Sequence, residues 1–529
     1  MLSSRIPGMR NQALIGISLF ALGLWLAWEV GGKIVANDER SLIFGVLIFA
    51  GCLVAAMIMR NWRTGFYLFF VWMMFEDLVR KYMGNGFALF FGKDIFLALV
   101  YIAFFVEVQR HKEKTFRPPF LLFFSLFFWL GVLQVFNQNL PHILYGLLGF
   151  KVDFYYVPLM FVGYALIRND EELRKFLVAN AALAAVIATA GIIQAIVGNS
   201  FLNPAVLAPE LRELGDLNKV TPLSNLRFSL PDSVFVSAGR FANYLILAFI
   251  LVLGSAGYLL LHTTRSRKLI FVTLGLICGA TLFCGSRGAV VFVAMSALVM
   301  SFGFFYGAPW RWRQTHRIVR TIFRSFVVAA FGLAAVLLLF PNEISSRIAF
   351  YTETLSPTSS AYQLSDRAWD YPVRNLLDAF SQPHWIVGNG IGTASLGRQY
   401  VDKLIGQRPP QFWVESGFGV LIVEMGILGL CLWVLWSLVL LYYAWKVARL
   451  LRQTRFFPIA FAIFWYAFIL LLPMTFGSLA AYQNYVFNAY LWLLVGILFR
   501  LPDVLANSPA PNAVPSRQLR SRGRFWFQG

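Results

Sequence analysis

Three stretches place chemically capable side chains at the edges of apolar runs. The first, Phe283-Cys284-Gly285-Ser286-Arg287-Gly288-Ala289-Val290, separates the runs 269–283 and 289–305. So short a turn pins Arg287 at the lip of a membrane, where a charge is costly and is a functional hypothesis by default. The flanking glycines leave room for the guanidinium and let backbone N–H groups face the same space. The second stretch, Ser365-Asp366-Arg367, opens an amphipathic segment. A helix dipole does not favour a cation in the first turn. Arg367 is therefore either paired with Asp366 or Asp370, or reserved for an anion. The third, Trp413-Val414-Glu415-Ser416-Gly417, sets Glu415 where water gives way to lipid. Burial there would raise its pKa toward neutrality and suit a general base. The alternative is an acid at a helix start, favoured by the dipole. Lys151, two residues before Asp153 and followed by Phe154, Tyr155 and Tyr156, either meets an anionic ligand or pairs with Asp153.

The elements that must hold these residues are membrane helices. Of 529 residues, 59% are hydrophobic, 17% aromatic and only 13% charged, which excludes an ordinary soluble domain. A span needs about 20 mostly apolar residues. Runs that qualify or nearly qualify lie at 13–30, 41–59, 64–79, 87–108, 119–136, 152–167, 175–197, 241–261, 269–285, 288–306, 322–340, 417–445, 457–476 and 480–499. The predicted fold is an all-α polytopic membrane protein of 12–14 transmembrane helices. The first run lacks a small-residue cleavage site and reads as a retained anchor. The predicted division is an N-terminal bundle over 1–340 with an outer loop at 198–240, a large outer loop over 341–416, C-terminal helices over 417–500, and a disordered basic tail over 501–529.

The net charge of +20 is a topology signal. With the N-terminus inside, the inner segments hold 28 of the 45 Lys and Arg residues, and the short loops put both termini in the cytoplasm. The basic excess then needs no nucleic acid, only anionic lipid. Counted the same way, the Arg287 turn is outside, the wrong side for a positive-inside anchor. The cysteines Cys52, Cys278, Cys284 and Cys431 all lie in or beside apolar runs. They predict no disulfide, and no Cys/His cluster has metal-ligand spacing. Glu76, Asp77, Arg80, Lys81, Lys93 and Asp94 are expected to neutralise one another inside the bundle. A proton relay, as in a transporter, is the other reading.

The loop 341–416 is long enough to be functional. Ser365 is expected to cap a helix through about Phe380, with Val373, Leu376, Leu377 and Phe380 as one apolar stripe, lying on the membrane surface or over a cavity mouth. Gly388-Asn389-Gly390-Ile391-Gly392 follows as a flexible turn that resembles a phosphate-cradling loop only weakly.

In order along the chain, these features resemble the O-antigen ligases and O-antigen or exopolysaccharide polymerases, bacterial membrane glycosyltransferases of the GT-C type. Gly285-Ser286-Arg287-Gly288-Ala289 is similar to that family's outer-face arginine turn. Ser365-Asp366-Arg367, with the Gly388-x-Gly390-x-Gly392 turn, is similar to its second arginine in the large periplasmic loop. Glu415-Ser416, nine residues, then Gly426-x-x-Gly429 matches the spacing of the ligases' third motif. Glu415 stands where ligases carry histidine, which inclines the resemblance toward polymerases.

The resemblance implies an enzyme in the bacterial inner membrane with its active site on the periplasmic face. It would polymerise oligosaccharide repeat units carried on undecaprenyl diphosphate, with inversion and with neither metal nor cofactor. Its implied partners are that lipid-linked glycan, membrane lipid, and chain-length regulator or export proteins. Arg287 and Arg367 would bind the leaving diphosphate, because arginine's planar fork holds phosphate bidentately and stays charged. Arg227, Arg240 and Lys151 would support them, and Glu415 would deprotonate the acceptor hydroxyl. A ligase acting on lipid A core or protein is the nearest alternative. A polysaccharide or lipid transporter is the alternative from another class, although no internal repeat of the transporter kind is visible.

Overall fold

The computed structural model describes residues 51–84, 87–111, 116–204, 217–260, 267–309, 340–406, 412 and 414–507. The expected span at 13–30, all but the last residue of that at 322–340, most of that at 41–59, and the tail beyond 507 lie outside these residues. Among the described residues, seven helices are long and apolar enough to cross a membrane: Ile143–Leu166, Asp170–Val197, Ala238–Leu259, Arg287–Gly307, Gly417–Leu450, Phe457–Gly477 and Tyr485–Asn507. This is an all-α, multi-pass membrane protein. Two further runs read as spans are shorter helices, Leu121–Val135 of 15 residues and Arg267–Phe283 of 17. The run at 64–79 is a 22-residue helix, Trp62–Met83, that carries Glu76, Asp77, Arg80 and Lys81. The last helix runs seven residues past the expected boundary at 500, carrying Pro502 within it.

The chain forms two units, the smaller of which takes in 51–70 and 92–111 of the described residues. Its core is aromatic: Trp62 meets Phe104 edge-on with ring centroids 5.0 Å apart, and Phe69 meets Phe96 at 6.0 Å. Lys93 and Asp94 belong to this unit and are buried. The larger unit holds 71–91 and the rest of the chain; everything below concerns it.

Its helices begin where the sequence supplies caps. Helix α1 (Asp170–Val197) opens with Asn169 accepting from the Glu172 N–H at 2.9 Å, and Asp170, Glu171 and Glu172 stand at the positive end of its dipole. Helix α2 (Ala238–Leu260) is followed by α3 (Arg267–Phe283) and α4 (Arg287–Gly307). Small residues let backbones approach, as they do where apolar burial gives no preference for one neighbour over lipid. A Cβ on Gly163 would fall 2.2 Å from the Leu493 carbonyl oxygen, and one on Gly496 would fall 2.0 Å from that of Met160. The helices Leu159–Leu166 and Tyr485–Asn507 therefore touch along their backbones.

The acidic and basic residues of 76–81 do neutralise one another in part. Asp77 is fully buried and takes Arg80 at 2.9 Å and Arg240 at 2.8 Å. Lys81 pairs with Asp232 at 2.9 Å.

At one end of this unit the connections fold together. Segment 198–240 carries a two-stranded antiparallel ribbon, β1 (Asn218–Val220) and β2 (Arg227–Ser229), which the helical reading did not anticipate. Strand side chains alternate in direction. Lys219 and its register partner Phe228 face the protein, while Val220 and its partner Arg227 are exposed. The larger loop begins with α5 (Pro341–Leu355), where Pro341 takes the first helical position. Glu353 on α5 accepts the Leu223 N–H at 2.8 Å and that of Ser224 at 3.2 Å, tying the ribbon's turn to the helix.

The expected cap at Ser365 does not form. Asp366–Asp370 winds as one wide, π-helical turn that runs into α6 (Tyr371–Ala379). The expected apolar stripe is turned away from the protein at Leu377 and Phe380. Leu377 is 62% exposed and Phe380 37%, while Pro372, Asn375 and Ala379 are buried. The reason lies in the partner helix α7 (Gly417–Leu450): Gly419 admits the Asn375 carbonyl and the Ala379 methyl, leaving no space for leucine.

Candidate active site where the long loops meet

The two long loops and the Arg287 turn converge. Ser286 caps α4 by accepting from the Ala289 N–H, which sets Arg287 at the first helical position. Gly285 has φ +66°, a backbone state open to glycine without strain. Arg347, buried on α5, clamps the assembly: it donates to the carbonyls of Phe283 at 3.1 Å, Ala195 at 3.2 Å and Ser229 at 2.9 Å. The end of α3, the end of α1 and the ribbon are thereby held by one guanidinium.

From Arg287 a chain of contacts leads to Glu415. Arg287 donates to the Gln363 side-chain oxygen. The Gln363 carbonyl accepts the Arg367 N–H at 3.1 Å. The Arg367 guanidinium lies over the Tyr371 ring, 4.8 Å from its centroid, a cation–π contact. Glu415 lies close enough to Tyr371 that its carboxylate, more than burial, pushes the phenol above its usual range. The Glu415 N–H donates to the Asn375 side chain at 3.1 Å. Arg287, Arg367 and Glu415, separated by 80 and 48 positions in sequence, thus share one surface. Glu415 is exposed, so the burial expected to prepare it as a base is absent in this state.

Lys219 also belongs to this group, and the sequence reading missed it. Its ammonium lies 3.4 Å from the Gly285 carbonyl oxygen and 4.2 Å from the Phe350 ring centroid. Burial, then the positive charges of Arg287 and Arg367, bring its pKa down to about 8. Nothing local in 198–240 marks it; only the ribbon's register turns it inward.

The other expected cations are placed elsewhere. Arg227 is exposed on the face of the ribbon away from Lys219. Arg240 is committed to Asp77, which it meets through both carboxylate oxygens at 2.8 and 3.1 Å. Lys151 stands over the Phe91 ring at 5.1 Å. Its suggested partner Asp153 turns inward, accepting from Gln483 at 3.1 Å and lying close enough to Glu424 for the two charges to act on each other.

Glu424, inside helix α7, is the anchor of the glycine turn. Its carboxylate accepts from the Ala394 N–H at 2.8 Å and the Ser395 hydroxyl at 2.9 Å. The Gly390 N–H donates to its carbonyl at 3.0 Å. Helix α7 is broken here: Gly426 has φ +73° and ψ −178°, and a Cβ there would lie 2.2 Å from the Ile386 carbonyl oxygen. The Gly388–Gly392 segment is therefore a rigid seat for the loop on a broken helix. Its Asn389 and Gly390 N–H groups donate to the main-chain carbonyls of Val423 and Glu424, and the Ala394 N–H just beyond it takes the Glu424 carboxylate, so these donors serve the protein and not a phosphate.

Among the described residues, no group of three or more His, Cys, Asp or Glu could hold a metal ion. What the surface can do is bind an anion between fixed cations, beside an accessible carboxylate able to accept a proton. No protein-family model matches this chain, and neither a curated protein nor a solved structure matches it, so the case for what the site does rests on its geometry.

Proposed function

We propose that this protein is a membrane glycosyltransferase that polymerises oligosaccharide repeat units carried on a polyprenyl diphosphate, at the outer, periplasmic face of a bacterial inner membrane. The observation that carries the reading is the run of contacts from Arg287 through Gln363 and Arg367 to Tyr371 and Glu415. It sets cationic forks and a carboxylate on one surface, next to helices apolar enough to sit beside a lipid tail.

In this mechanism Arg287 and Arg367 hold the lipid diphosphate. Their charges stabilise the negative charge that develops on the leaving oxygen. Glu415 takes the proton of the acceptor hydroxyl. The acceptor oxygen forms its bond to the donor sugar C1 as the C1–O bond to the diphosphate breaks. The lipid diphosphate leaves with that electron pair, and inversion follows from the single displacement. Exposure of Glu415 fits a base that must meet an incoming sugar, and sugar and lipid together would exclude water from it.

The test is purified protein supplied with lipid-linked repeat units alone. A ladder of products is expected. Extension only after a separate lipid A core or protein acceptor is added would make the enzyme a ligase. Movement of lipid-linked glycan across vesicles without any new glycosidic bond would make it a transporter.

A further inference from the structure

Lys219 is held at the Arg287 turn by a ribbon that does little else. Its strands are three residues each, and a short ribbon is not stable alone. Glu353 and Arg347 of α5 fix it in place through backbone groups. The result is an ammonium half-buried beside two guanidinium groups. Among the described residues, none of Lys219, Arg287 and Arg367 has a carboxylate within 4.0 Å; Asp366, the acid nearest in sequence to Arg367, reaches Arg374 at 3.9 Å instead. Asp366 is close enough for its charge to act on Arg287, but one half-exposed carboxylate does not balance three cations, and concentrating them is unfavourable unless a further anion joins them.

We propose that Lys219 is a third ligand of the diphosphate anion, completing a clamp whose other arms are Arg287 and Arg367. This rests on the reading of that surface as a diphosphate site. The titratable groups whose charges act on Lys219 are Arg287 and Cys284 from the turn and Arg367 from the loop; on α5, which brings the Phe350 ring to Lys219, Arg347 and Glu353 are engaged with backbone groups. The two guanidinium groups stay charged at any working pH. Lys219 is the arm that can lose its proton. An arriving diphosphate stabilises its ammonium form, so binding draws a proton from solvent wherever the empty site holds it neutral. Affinity therefore falls above about pH 8 in the wild type.

The experiment is calorimetric titration of the full chain in detergent with farnesyl diphosphate, and with inorganic diphosphate to separate headgroup from lipid recognition, at pH 7 and pH 9.5. Lys219→Met, at an unchanged melting midpoint, is expected to bind about tenfold more weakly at pH 7 and to lose the pH dependence. Lys219→Arg is expected to keep the pH 7 affinity and hold it at pH 9.5. Wild-type affinity and pH dependence in Lys219→Met would overturn the assignment of Lys219. If Arg287→Ala also binds like the wild type, or the wild type binds neither probe, the diphosphate site itself falls. Weak binding by Arg287→Ala alone leaves the site standing and removes only Lys219.

Discussion

Arg287, at the start of a membrane helix, donates a hydrogen bond to the side chain of Gln363, 76 positions later in the large loop. That bond joins the bundle to the loop at the point where the cations gather. A hydrogen bond from a charged group contributes about 1.5–3 kcal/mol where it is shielded from water. Gln363→Ala should therefore loosen residues 356–370 without unfolding the bundle. Limited proteolysis should cut this segment faster in the variant, while the melting midpoint in detergent stays near that of the wild type. Unchanged cleavage would show that the bond does not anchor the loop.

Arg287→Ala and Glu415→Gln should each abolish product ladders while leaving a folded protein. Arg287→Lys should be nearly as damaged, since it keeps charge and loses the fork. Tyr371→Phe removes the hydroxyl beside Glu415 but keeps the ring beneath Arg367, so its rate should fall less than that of Glu415→Gln. Glycan assembly by either Arg287→Ala or Glu415→Gln at the wild-type rate would remove that residue from the mechanism.

Arg240 and Arg227 should respond in a different currency from Arg287. Arg240→Ala leaves buried Asp77 with Arg80 alone, while Asp77→Asn leaves two cations facing a neutral group. Breaking a buried pair costs on the order of 3–5 kcal/mol. Both variants should lose stability, Asp77→Asn more, as read from yield and melting midpoint. Arg227→Ala should match the wild type in stability and diphosphate affinity, because its side chain is exposed on the outer face of the ribbon.

Glu353 gives the ribbon a pH dependence. Its carboxyl is held below the usual value, foremost by the Ser224 side chain, against an opposing desolvation effect, with the N–H groups of Leu223 and Ser224 adding to the lowering. A depressed folded pKa contributes stability that is fully present above the unfolded value of about 4.5 and is lost as pH falls through the folded one. Protection of the Leu223 and Ser224 amides from hydrogen exchange, corrected for intrinsic rates, should therefore fall below about pH 4.5. Glu353→Gln should show low protection at every pH. Equal protection in both proteins across that range would exclude the tie.

Gly426→Ala should destabilise by at least 1–3 kcal/mol, the scale of a strained backbone state. The methyl group also meets the Ile386 carbonyl oxygen. A thermal midpoint equal to that of the wild type would mean that the loop does not need its seat on the broken helix.

Much of this was legible in the residue order. Long apolar runs can only be buried as helices, because lipid offers no partner for backbone groups, so the helices at 170–197, 287–307, 417–450 and 457–469 follow from composition. The turn at Arg287 follows from the glycines between two such runs. Direction was harder to read. Val373, Leu376, Leu377 and Phe380 have the spacing of an apolar stripe, but which residues meet the protein is not legible from it: the helix packs through Pro372, Asn375 and Ala379, since Gly419 across from it leaves room only for small groups. Lys219 carries no local signal, because a strand's facing depends on its register partner Phe228.

The sequence alone determined that this is a multi-pass helical protein with charged turns and one large hydrophilic loop, because burial of apolar surface and backbone satisfaction in lipid are read residue by residue. Only the tertiary structure decided which charges stand open and which are spent. Arg240 and Arg287 look alike in sequence, each beside a glycine at a helix start, but Arg240 meets Asp77 and Arg287 meets a neutral glutamine. A charge's role is set by what lies within a few ångströms of it, and those neighbours come from segments scores of positions away.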